Sequence, residues 1–248
     1  MLTFDDYITI LIAESDSFAN AIVATQPGDA PSSCPEWSTR ELALHVGEVQ
    51  RWAAFTLNNP GEKPPADVVG MLPNAGELDR WLREGSSALV NALRNGDPDF
   101  AYFTFLADSP PPLLFWARRQ AHEVAMHRVD AQIAVGPADS FPPAFAIDGI
   151  DEMLTGFAPR KHMKLRSETP QTIMVAPKES DQTWHLTISK DPVVTVRNSS
   201  DAADCSVTGS ATDILWVLWN RKPKESLDVS GDADILGLFC DTVQIRWG

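Results

Sequence analysis

The chain has 248 residues, room for one large or two small domains. Its 20 Lys/Arg against 34 Asp/Glu leave a formal net charge of −14, which argues against nucleic-acid binding and against charge-driven docking on an anionic membrane. An apolar fraction of 44% sets intrinsic disorder aside, and no uninterrupted apolar stretch of ~18 residues predicts a transmembrane span.

The first half reads as helices. Thr3 and Asp6 form a loose capping box ahead of Tyr7, Ile8, Ile10, Leu11 and Phe18, and Gln26-Pro27-Gly28 closes that run. Ser38 followed by Glu41 is a clearer start, with Leu42, Val46, Val49 and Ala53 at helical spacing and a stop at Asn59-Pro60-Gly61. Residues 78–93 carry Leu78, Leu82, Leu89 and Leu93, and three prolines precede a fourth run over 113–134 that Gly136-Pro137 closes. Four amphipathic helices of similar length predict an antiparallel four-helix bundle.

The second half changes period. Residues 148–157 look helical. Residues 172–175, 183–189, 193–197 and 205–209 read as short strands, 211–219 and 232–240 as helices, and 243–247 as a last strand. Strands and helices without a regular βαβ repeat predict a small α+β domain. The proline-rich stretch 136–143 is the natural linker, so the domains are expected at 1–140 and 141–248. Charge shifts in step: residues 1–150 hold 9 Lys/Arg against 20 Asp/Glu, and residues 151–248 hold 11 against 14.

Histidine is scarce, with five in the chain. His45 lies on or beside the apolar stripe of the second helix, as a core histidine with a partner or as a metal ligand. The fourth helix holds His122-Glu123-Val124-Ala125-Met126-His127, which departs from HExxH at Met126. Glu123 and His127, at i and i+4, project from one face; His122 points about 100° away. If the second and fourth helices pack side by side, His45, Glu123 and His127 offer two imidazoles and one carboxylate to a divalent ion, the pattern of an open zinc or non-haem iron site. The plainer alternative is a solvated Glu–His helix pair. Glu48 is the spare carboxylate nearby. Asp130 can accept from a ligand imidazole or pair with Arg128 or Arg51. Trp52 and Trp116 read as core that can wall a pocket, and Arg118, Arg119 and Arg128 as a solvated helix face.

The segment Cys34-Pro35-Glu36-Trp37-Ser38-Thr39, continuing through Leu42, His45 and Gly47, resembles the CPxW(S/T)xxxLxxHxG signature of the mycothiol-dependent maleylpyruvate isomerase family. His122-Glu123 through His127-Arg128-Val129-Asp130-Ala131 is similar to its HExxxHRxDA signature, and the Cys205–Asp213, Leu218–Arg221 and Val229–Asp232 segments are similar to its C-terminal domain. The resemblance implies a DinB-like bundle followed by a sterol-carrier-like domain. It implies a divalent metal, usually zinc, on His45, Glu123 and His127, and mycothiol as thiol cosubstrate for an S-transferase or cis–trans isomerase acting on a small electrophile. It also implies a participating C-terminal-domain arginine, for which Arg221 is the candidate, with a helix-terminal role as the alternative. The competing class is a non-enzymatic, metal-containing small-molecule or lipid carrier. No nucleic acid or membrane partner is expected. Met1–Asp6 lacks the basic region of a signal peptide, and Cys34, Cys205 and Cys240 form no disulfide framework, so a cytoplasmic protein is expected.

Overall fold

The computed structural model describes residues 2–26 and 28–245. The chain divides into two compact units, residues 2–104 with 109–139 and residues 105–108 with 140–248.

Four long helices build the first unit: α1 (Phe4–Ala24), α2 (Thr39–Asn58), α3 (Leu78–Asn95) and α4 (Pro112–Ile133). Each start has a local cause. Thr3 accepts from the Asp6 amide while Asp6 reaches back to the Thr3 amide, and Ser38 with Glu41 repeats the arrangement, satisfying backbone donors that the first turn leaves unpaired. Pro112 supplies a preset φ at the first turn of α4. α1 packs mainly on α4 and α3, and α2 on α3 and α4. The shared core includes Leu11, Phe18, Leu42, Leu89, Leu93 and Trp116, all fully buried. Burial of each such side chain contributes about 1.5–3 kcal/mol. α1 has the length and composition of a membrane span, yet Tyr7, Ile8, Leu11 and Phe18 are spent on this core.

α4 corrects one expectation. It is not amphipathic: Arg118, Arg119 and Arg128, read as a solvated face, are 7%, 1% and 2% exposed. A buried guanidinium is tolerated only with partners. Arg128 has them in Glu14 Oε2 at 2.8 Å, Gln132 Oε1 at 2.6 Å and the Asp139 carbonyl at 2.6 Å.

The second unit opens with α5 (Pro143–Asp151), which runs into a π-helical segment, Glu152–Phe157. The helix starts five residues before the predicted 148–157, because Pro143 initiates the helix and is not linker. Five strands follow with α6 (Ala211–Leu218) and α7 (Ala233–Thr242): β1 (Gln171–Pro177), β2 (Trp184–Ile188), β3 (Val194–Arg197), β4 (Cys205–Gly209) and β5 (Asp228–Gly231). The sheet order is β3-β2-β1-β4-β5, with β1 and β4 parallel and the other pairs antiparallel. β5 was not predicted; Asp-Val-Ser-Gly has weak strand propensity, and pairing with β4 makes it a strand. Gly231, at φ +83°, ends it where a Cβ would overlap the Asp204 carbonyl oxygen. Residues 243–245 form no strand, which corrects the predicted last one; its remainder, Arg246 and Trp247, lies outside the described residues.

Segment 105–108 joins this unit through three links. The Ala107 amide donates to the Gly156 carbonyl at 3.2 Å, Leu106 packs on Gly156, and Asp108 pairs with Arg197, which also holds Asp151.

Candidate metal centre

The Ser38 cap sets the start of α2 and thereby the face on which His45 stands, two turns in. α4 supplies Glu123 and His127 one turn apart. Packing of α2 on α4 brings the three together. Glu123 Oε1 lies 3.5 Å from His45 Nε2 and 3.3 Å from His127 Nε2, and one donor atom from each residue falls within 4.8 Å of the others. Glu123 is 5% exposed and His127 9%.

His45 Nε2 and Glu123 Oε1 are buried without a hydrogen-bond partner. Leaving a buried polar atom unsatisfied costs about 1–3 kcal/mol. Two nitrogens and a carboxylate oxygen so placed fit a shared cation, and donors bonded to one ion at ~2.1 Å lie at most ~4.2 Å apart, close to the observed span. Glu48 is not part of this cluster. His122 points elsewhere, its ring 6.5 Å from that of Tyr7.

The neighbours orient the three side chains. Asp130, fully buried, places Oδ2 2.9 Å from His127 Nδ1, and its Oδ1 accepts from the Ser33 hydroxyl at 2.5 Å. Arg119 donates to Glu123 Oε2 at 3.2 Å. Trp37 lies against both imidazoles, its ring centroid 4.8 Å from His45 and 6.4 Å from His127. Burial would push Glu123 upward, but the facing imidazoles of His127 and His45 and the charge of Arg119 outweigh it and hold its carboxyl well below the usual range. Burial likewise opposes the His127 imidazolium, yet the Asp130 hydrogen bond and the negative charge of the facing Glu123 and Asp130 prevail and raise its pKa to about 9.

Several contributors carried no assignment from sequence. Trp37 stands in the quoted motif without a role, and nothing marked Ser33. Arg119 had a legible signal, its i, i+4 spacing to Glu123. Gly47, two residues past His45, lets the Trp81 ring close directly on α2, because any Cβ would overlap it. Trp52 and Trp116 pack ring to ring at 5.2 Å, and Trp116 Nε1 donates to the Phe103 carbonyl at 3.0 Å. Arg51 donates to the Gly47 and Trp81 carbonyls. Arg221, the candidate from the second unit, follows α6; its guanidinium donates to the Trp219 carbonyl at 2.7 Å and lies 6.0 Å from that indole.

Residues 9–132 match the model for the mycothiol maleylpyruvate isomerase N-terminal domain, and residues 144–237 match that for the MDMPI C-terminal domain. No curated protein matches the chain. Among solved structures, the mycothiol-dependent maleylpyruvate isomerase and a histidine-to-alanine mutant of it align with TM-scores of 0.60 and 0.61 at 15% identity, covering 92% of this chain and 93% of theirs. At that identity the likeness shows the fold: a helical first part followed by a small α+β part.

Proposed function

Because the chain belongs to the mycothiol maleylpyruvate isomerase family over both matched segments, we propose that it is a divalent-metal-dependent enzyme that uses mycothiol to attack a small electrophile. His45, Glu123 and His127 are the proposed ligands, and zinc the proposed ion. The observation that carries this reading is the convergence of two imidazoles and one carboxylate with buried, unpartnered donor atoms. Three protein ligands leave a position for a fourth group, as catalytic rather than structural zinc sites do.

A bound divalent ion would supply the positive charge that ionises a thiol, whose free pKa is near ~8.5. Two of the protein's three thiols are unsuited to that role. Burial pushes Cys205 upward, and it pushes Cys240 to about 11, so both stay protonated. The nucleophile in this reading is an external thiol, the mycothiol for which the matched family is described. None of Cys34, Cys205 and Cys240 is in a disulfide.

The surrounding residues prepare the site. Asp130 accepts a hydrogen bond from Nδ1–H of His127, which leaves Nε2 as the nitrogen that would bind the ion once its proton is displaced. Arg119 engages Glu123 Oε2, so Oε1 is the oxygen left for the ion. A thiolate that adds to one end of a polarised double bond leaves a single bond free to rotate. Its re-expulsion completes a cis–trans isomerisation, whereas protonation of the adjacent carbon keeps the thioether as an S-transfer product. The chain's net charge of −14 gives no long-range attraction to a dianion such as maleylpyruvate, so local charge must recruit an anionic substrate.

Metal analysis combined with mycothiol consumption over a panel of electrophiles, maleylpyruvate included, tests the proposal. Metal-dependent thiol consumption or isomerisation on at least one electrophile is the expected result. A fully metal-loaded protein that turns over none of them would overturn the enzyme reading. Asp130→Asn is expected to weaken metal retention by about tenfold in a chelator competition, because the His127 tautomer is no longer enforced. Unchanged retention would show that Asp130 does not orient the ligand.

A further inference from the structure

The second unit contains a half-open cavity of about 510 Å³. That is the size of a small-molecule site, typically ~300–1,000 Å³. It is lined by Arg160, His162, Met163, Lys164, Asp241, Thr242, Gln244 and Ile245. In a chain with 34 acidic residues against 20 basic ones, a wall with two permanent cations and one carboxylate is a local reversal of charge.

Arg160 is the distinctive member. Its backbone amide donates to the Phe157 carbonyl at 3.1 Å, and its guanidinium carbon lies 5.8 Å from the Phe157 ring centroid and 6.0 Å from that of Phe105. The aromatic rings partly strip its water; it is half-buried, and burial pulls its pKa down. Among the described residues, its guanidinium has no carboxylate partner and no hydrogen bond. The other arginines among the described residues of this unit differ. Arg197 is clamped by Asp108 and Asp151, Arg221 is spent on the Trp219 carbonyl, and Arg166 holds the Leu165 and Lys161 carbonyls. A partly desolvated guanidinium with five donors and no partner is matched best by a planar or tetrahedral oxyanion.

We propose that this cavity binds a small organic oxyanion, a carboxylate or phosphate monoester, with Arg160 as its anchor and Lys164 as a second cation. The apolar walls of Met163 and Ile245 take the organic body, which a bare phosphate would leave unfilled. Its lining residues do not include the proposed metal ligands.

Isothermal titration of the full chain with benzoate and with phenyl phosphate tests the proposal, with inorganic phosphate as a third arm. Saturable binding of one organic probe below about 10 mM is expected, weakened at least about tenfold by Arg160→Met and partly retained by Arg160→Lys. Met keeps the packing on the two rings, and the exposed Lys164→Gln provides a variant whose folding is not in question; it too is expected to weaken binding. The tighter of the two organic probes identifies the headgroup. No binding of either organic probe, tighter binding of inorganic phosphate than of both, or wild-type affinity in both Arg160→Met and Lys164→Gln would overturn the proposal.

Discussion

Replacing His127 with alanine is expected to reduce the bound divalent metal from about one equivalent to background. Three proposed ligands become two, and the fourth-helix contribution shrinks to Glu123 alone. The same residue dictates a pH dependence. In the metal-free protein His127 holds its proton up to about 9, so an ion must displace it. Apparent metal affinity therefore rises with pH by up to about tenfold per unit below that pKa and levels off above it. Glu123, held well below the usual carboxylate range, has no proton to give at neutral pH. Metal uptake near pH 7.5 is accordingly expected to release about one proton from His127, read by titration in buffers of different ionisation heat. Folding of the metal-free protein carries the opposite sign. A histidine pKa raised above its unfolded value stabilises fully below ~6.5, and that contribution is lost as pH rises through about 9. Wild-type metal content in His127→Ala would remove this residue from the site.

Gly47→Leu is expected to destabilise the protein by about 3 kcal/mol, lowering Tm by roughly 6–12 °C. Even a Cβ at Gly47 would overlap the Trp81 ring. The indole cannot easily retreat: it is 8% exposed, the Arg51 guanidinium sits 3.8 Å from its ring centroid, and its own carbonyl accepts from Arg51 Nη2 at 2.7 Å. Helix propensity works the other way, since glycine inside a helix costs about 1 kcal/mol relative to alanine, but overpacking outweighs it. The clash is relieved by shrinking the partner, so Trp81→Leu combined with Gly47→Leu should cost less than the sum of the two. Additive costs, or a Gly47→Leu protein that melts with wild type, would mean that the close approach of α2 and α3 does not depend on this glycine.

The helices and most strands were legible because their causes are local. The Ser38–Glu41 box, the proline entering α4 and the Thr- and Val-rich strands act within a few residues of the chain. β5 was not legible, because pairing with β4 rather than its own four residues makes it a strand. Nor was the grouping of 105–108 with the second unit, which rests on contacts with Gly156 and Arg197 far along the chain.

The candidate centre divides along the same line. Spacing within α4 placed Glu123 and His127 on one face, and the flanking motifs pointed to the family and to His45. Local sequence determined those things because helical periodicity is a property of consecutive residues. Tertiary structure alone decided that Trp37 covers the imidazoles, that Ser33 anchors Asp130 from 97 positions away, and that Arg119 is buried against Glu123 instead of facing water. Burial depends on what packs against a helix from outside it. An arginine beside a glutamate reads the same on a solvated face and in a core, and only the packing of other helices around α4 gives that pair its place in the site.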